Sequence, residues 1–161
     1  MDAQLASQLK SPDAQIRLQA AERLMNEPSL VSATVLLDAV ADSSEEVREA
    51  IVAALENLET PDAGEIKAIA ERLQNPSANV AYWAATLLGR CSQDAAVVLP
   101  AILQVLQNRQ EPEVQERLVL AIERIGPGAK PALAVLQKLE TSSNPRLQRL
   151  VASAMQAISG G

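Results

Sequence analysis

The chain is 161 residues long, about one domain's worth, and its 48% hydrophobic content is too high for a disordered tail. With 20 acidic against 14 basic residues it carries a net charge of −6, which repels phosphate backbones and anionic lipid surfaces and makes nucleic acid and membrane poor default partners. With no histidine and a single cysteine, Cys91, it cannot build a Ser-His-Asp or Cys-His catalytic arrangement, an internal disulfide or an ordinary structural zinc site.

In chain order, Leu5 and Leu9 lie one helical turn apart and predict a short helix within residues 2–10, too polar for a signal peptide. After Ser11-Pro12, the apolar residues Ile16, Ala20, Ala21 and Leu24 predict a second helix that stops before Pro28. Leu36 and Val40 mark the third. Residues 42–58 carry the best-marked fourth: Ser43 and Glu46 have capping-box spacing, and Val47, Ile51, Ala54, Leu55 and Leu58 form one stripe with Arg48, Glu49 and Glu56 off it.

The alternation continues. Ile69 and Leu73 precede Asn75-Pro76, and Val80, Ala84, Ala85 and Leu88 follow. The apolar run 97–106 contains Pro100, which predicts a kinked helix. Val114, Leu118, Val119 and Ile122 form the next stripe, stopped by Gly126-Pro127-Gly128, where glycine tolerates a left-handed cap and proline cannot continue. Val135 and Leu139, then Leu147, Val151, Ala152 and Met155 after Asn144-Pro145, complete the series. No stretch approaches the ~18 apolar residues needed to span a bilayer.

These stripes repeat. Ile16, Val47, Val80, Val114 and Leu147 are separated by 31, 33, 34 and 33 residues, and Leu5, Leu36, Ile69, Ile102 and Val135 by 31, 33, 33 and 33. The column eight residues after the first reads Leu24, Leu55, Leu88, Ile122 and Met155. The organisation expected is a single domain, 1–161, of five helix-turn-helix units at about 1–27, 28–60, 61–92, 93–127 and 128–161.

Residues 99–106, Leu-Pro-Ala-Ile-Leu-Gln-Val-Leu, resemble the first-helix pattern of the HEAT repeat family, including its bacterial HEAT-like members. Residues 11–24, with Ser-Pro-Asp and Ile16-Arg17, and 45–55, with Val47-Arg48, resemble its second-helix pattern. The arginine after the valine is replaced by Ala81, Gln115 and Gln148 in the later units, a departure from a continuous arginine ladder. The resemblance implies an all-α, right-handed α-solenoid of about five stacked helical hairpins, an αα-superhelix with the second helices on the concave side.

Carboxylate pairs such as Glu45-Glu46 and Glu111-Glu113 lie at helix starts, where the dipole favours them, so no catalytic, metal or cofactor site is assigned. The function expected is a non-catalytic protein–protein interaction scaffold. The resemblance also admits an accessory subunit of a phycobilin-lyase-like enzyme and, against the charge, a DNA-binding HEAT-like protein. The lone cysteine suits a reducing, cytoplasmic setting.

On a 3.6-residue period the outward positions of the second helices are Leu18, Met25, Glu49, Glu56, Tyr82, Thr86, Glu116, Leu120 and Glu123, with Gly89 beside them. They predict a mildly acidic concave groove with apolar footholds, suited to a protein or peptide that is basic or amphipathic, with Tyr82 accessible at its centre and Trp83 partly buried. Arg117, Arg124, Lys130, Lys138, Arg146 and Arg149 concentrate basic charge in the last third, which is the place for an acidic partner if there is one. The ends carry no obvious polar capping unit, so a homo-oligomer or a longer solenoid is expected.

Overall fold

Short and long helices alternate along the chain, and no strand occurs among residues 1–160, which the computed structural model describes. They form two compact units, Met1–Pro61 and the residues from Asp62 onward. In the first, α1 (Ala3–Gln8) and α3 (Ala33–Ala39) are short, while α2 (Ala14–Asn26) and α4 (Glu45–Asn57) each run 13 residues and pack against each other. Asp2 caps α1 by accepting from the Gln4 and Leu5 amides at 3.0 and 3.1 Å. Ala21, Leu24, Leu36, Leu37, Val47, Ile51 and Leu55 fill the core.

The second unit holds α5 (Ile66–Glu71), α6 (Ala78–Arg90), α7 (Leu99–Asn108), α8 (Pro112–Ile125), α9 (Leu133–Leu139) and α10 (Pro145–Ser159). Helix α8 packs between α6 and α10. Leu73, Val80, Leu87, Leu88, Ile102, Leu106, Leu118, Ile122, Leu136 and Val151 are buried, and each large side chain withdrawn from water contributes about 1.5–3 kcal/mol. Gly126 ends α8 at φ 67° and ψ −135°, a positive-φ conformation open to glycine rather than the left-handed helical cap expected of the Gly-Pro-Gly turn.

Several expectations need correcting. Ser43 does not box with Glu46: α4 starts after Ser44, whose hydroxyl donates to Glu46 Oε2 at 2.6 Å, and Asp42 Oδ1 takes the Ser44 amide at 2.8 Å. Pro100 does not kink a helix. A 3-10 segment, Ser92–Val98, precedes it, so Pro100 falls in the first turn of α7, where its missing amide costs no bond. Pro12 and Pro76 lie ahead of their helices, with Asp13 and Ser77 at the cap positions, whereas Pro112 and Pro145 open theirs. Ile16 is 39% exposed, because the six-residue α1 contributes only Leu5 to the core and leaves the first turn of α2 uncovered. In the last pair, Leu136 rather than Val135 is the fully buried residue, Met155 is half-buried and Ala152 exposed. Cys91 is buried after α6 and donates to the Leu87 carbonyl at 3.4 Å; burial, with Asp94 and Glu65 nearby, pushes its thiol up to about 11.

Four of the five second helices are tied to the link before them by a donor six residues further on. Arg17 Nη1 donates to Ser11 O at 2.8 Å and Arg48 Nη1 to Asp42 O at 2.8 Å. Gln115 Nε2 reaches Arg109 O and Gln148 Nε2 reaches Ser142 O, both at 2.8 Å. At the corresponding position Ala81 has no donor and is fully buried. There Arg109, from the next link, donates to Asn75 O at 2.6 Å and Leu73 O at 3.2 Å. These bonds satisfy carbonyls that the turns leave without a backbone partner.

Candidate binding face on the second helices

The first unit places Leu18 and Met25 on α2 half-buried, and Glu49 and Glu56 on α4 exposed. Met25 also supplies a carbonyl to Asn57 Nδ2 at 2.9 Å, holding the ends of α2 and α4 together.

In the second unit, Tyr82 and Thr86 on α6 and Glu116, Leu120 and Glu123 on α8 are all half-buried. Tyr82 is less open than expected, for it is held on two sides. Its ring meets the buried Trp83 edge-on, centroids 5.5 Å apart at 82°, and the Arg117 guanidinium carbon stands 4.7 Å from its centroid. The Arg117 guanidinium also donates to the Tyr82 hydroxyl. Thr86 spends its hydroxyl proton on the Tyr82 carbonyl at 2.8 Å, the i−4 bond common to helical threonines. Gly89 does not point outward. It is buried where α6 meets α8, and a Cβ there would lie 3.5 Å from Ala121 Cα.

Helix α8 carries two stripes of opposite sign. Residues seven apart are two turns on and share a face. Glu116 and Glu123 form the acidic stripe and turn to α10: Glu116 accepts from Arg146 Nε at 3.0 Å and Asn144 Nδ2 at 3.1 Å, and Glu123 accepts from Ser153 Oγ at 2.6 Å. Arg117 and Arg124, one residue further round, turn to α6. With Arg90, Ala85, Thr86, Gly89, Leu120 and Ala121 they line a cleft of about 150 Å³. The acidic groove expected therefore gives way, in this unit, to carboxylates already committed and arginines facing the opening. Arg90, at the end of α6, was missed by the sequence reading; for the two α8 stripes the common seven-residue step of 116/123 and 117/124 was the available signal. A second cleft, of about 310 Å³, lies among Leu73, Asn75, Gln104, Val105, Asn108 and Arg109.

Among the described residues there is no cluster of three or more His, Cys, Asp or Glu side chains placed to hold a metal, and no helix long and apolar enough to cross a membrane.

Paired helices of this kind define an all-α repeat protein of the armadillo and HEAT class, and solved structures agree. A designed armadillo repeat protein in complex with the peptide (KR)4 superposes with a TM-score of 0.67 at 18% identity, over 96% of this chain and 80% of that one. A computationally designed armadillo repeat protein for modular peptide recognition gives 0.65 at 22%, over 98% and 82%. The CpcE–CpcF complex of phycocyanin lyase from Nostoc sp. PCC7120 gives 0.66 at 22%, over 98% of this chain and 64% of that one. No curated protein matches the chain. The family model for HEAT repeats matches residues 66–156, more than half the sequence, and the chain belongs to that family.

Proposed function

We propose that this protein is a non-catalytic binding scaffold that takes a protein or peptide segment against its second helices. The observation that carries this reading is the Tyr82–Arg117–Leu120 surface: a half-buried aromatic, pinned by a cation, beside an apolar side chain and an open cleft. Tyrosine and arginine held in one conformation offer large contact area with little rotamer entropy left to lose. Two of the similar folds are designed armadillo proteins described by the peptides they take, and that use of the fold supports the reading. The role of accessory subunit to a bilin-handling enzyme is the weaker one. The CpcE–CpcF likeness is of fold, and of the two aromatic residues that could line a bilin site, Trp83 is buried.

Panning a displayed library of random peptides tests the proposal. Recovered peptides should lose at least tenfold in affinity with Leu120→Glu or Tyr82→Ala, while circular dichroism keeps its helical signal. A library yielding no peptide that responds to either substitution would overturn it.

A further inference from the structure

We propose that the cleft between α6 and α8 captures one carboxylate side chain of an acidic peptide segment. This deepens the binding-scaffold reading and rests on it. Arg90 from α6 and Arg117 and Arg124 from α8 line an opening of about 150 Å³, and the capture rests on the two α8 guanidinium groups. That volume is well below the ~300–1,000 Å³ of pockets that hold drug-sized ligands, and it fits a single small anionic group. Helices α6 and α8 meet beside it, and the Arg124 side chain lies 3.8 Å from where a Cβ on Gly89 would sit, an ordinary van der Waals contact.

The two α8 arginines are available for different reasons. Arg117 is oriented by the Tyr82 hydroxyl and ring, which are neutral and leave its charge uncompensated. Arg124 is exposed and has no ion-pair or hydrogen-bond partner among the described residues. The carboxylates nearest along α8, Glu116 and Glu123, are held by Arg146, Asn144 and Ser153 on the opposite side and do not line the cleft. Arginine presents parallel N–H donors that match a carboxylate in bidentate fashion, more strongly than neutral pairs. Thr86, its proton already donated, cannot compete for the anion as a donor. A polynucleotide is the poorer occupant. Its charges recur along its length, whereas here three arginines are confined to one cleft of a chain whose net charge is −6.

Fluorescence anisotropy with a positional library of labelled extended peptides, carrying Glu, Gln or Lys at each scanned position in a neutral background rich in Leu and Tyr, tests this. A short single-stranded oligonucleotide serves as the competing probe. Glu should be preferred over Gln by at least tenfold at one position. Arg124→Gln, which removes no internal bond, should erase that preference with helical content intact, and Arg149→Gln on α10 should leave it within twofold. Tyr82→Phe, which frees Arg117 from its hydroxyl contact, should reduce the preference without abolishing binding. Selection of Lys, indifference between Glu and Gln, or tighter binding of the oligonucleotide would overturn the carboxylate site. Peptide binding that persists without charge preference and responds to Leu120→Glu would leave the scaffold reading standing, and absence of binding by every peptide would overturn both.

Discussion

The two units solve the same local problem with different side chains. In the first, the links between paired helices are closed by Arg17 and Arg48; in the second, by Gln115, Gln148 and the borrowed Arg109. A link carbonyl needs only one N–H donor, and a glutamine amide supplies it. Arginine has donors to spare. Arg17 also grips Asp42 of the following link, Nε to Oδ2 at 2.7 Å and Nη2 to Oδ1 at 2.9 Å, so one side chain closes its own turn and fastens the next repeat. Glutamine cannot do both. In the second unit the fastening passes to other pairs: Arg109 to the link before it, and Arg146, Asn144 and Ser153 to the two α8 glutamates. Replacing arginine by glutamine thus leaves the turns closed and relocates the joints between repeats.

The largest effect that breaks this comparison is expected from restoring the missing arginine. Ala81 is fully buried and its link carbonyls are already taken by Arg109, so Ala81→Arg should cost about 2–4 kcal/mol through overpacking and a poorly solvated second charge. Urea unfolding monitored by circular dichroism measures it. An unchanged midpoint would mean the position can open to solvent and that Arg109 is not its substitute.

Next comes Asp42→Ala in the first unit, which removes both Arg17 contacts and the bond from the Ser44 amide. The loss should be about 1–3 kcal/mol. If Arg17→Gln, which keeps a link donor but drops the bridge, were as damaging as removing Asp42 and Arg17 together, the bridge would account for everything and link closure for nothing. The double-mutant cycle reads this directly.

Gln115→Met and Gln148→Met sharpen the other side. Each removes one neutral bond to a link carbonyl, with an expected cost of about 0.5–1.5 kcal/mol. The value should be smaller at 148, where the side chain is exposed and water can replace it.

Acid provides the smallest test. Arg109 beside Glu111 lowers that carboxyl from its ordinary 4.5 to about 2, and Arg17 lowers Asp42 below its ordinary 3.8. A carboxyl depressed in the folded state stabilises above its unfolded value and loses that contribution as pH falls through the folded one. Stability should therefore decline from about pH 4.5 toward 2, less steeply at high salt because the Glu111 side chain is partly open to solvent. Arg109→Met should flatten the part due to Glu111. An unaltered acid profile would show that another group carries it.

The helix pairs were legible because the apolar columns are strict: Ala20, Ile51, Ala84, Leu118 and Val151 are all buried. Caps were harder to read, since Ser43 and Ser44 are chemically equivalent and only the path of the link decides which one ends it. On the candidate face, the outward placement of Glu49 and Glu56 followed from helical period alone. The sign of the charge near α8 did not. Counting along one helix gives the direction of Glu116, but its neutralisation comes from Asn144 and Arg146 on another. Gly89 was misplaced for a similar reason: its burial comes from Ala121 and Arg124 on α8, which a period counted along α6 does not include.

Cys91 turns the end of α6 into a clock. With its thiol raised to about 11 and its sulfur buried against Leu87 O, almost none is ionised or reachable at neutral pH. A thiol reagent can then modify it only during the brief intervals when that turn comes apart. The labelling rate, divided by the rate for an unstructured peptide, gives the equilibrium fraction of molecules open at the end of α6. One atom already in the sequence therefore reports how often the end of α6 comes apart, and whether a bound peptide slows that opening.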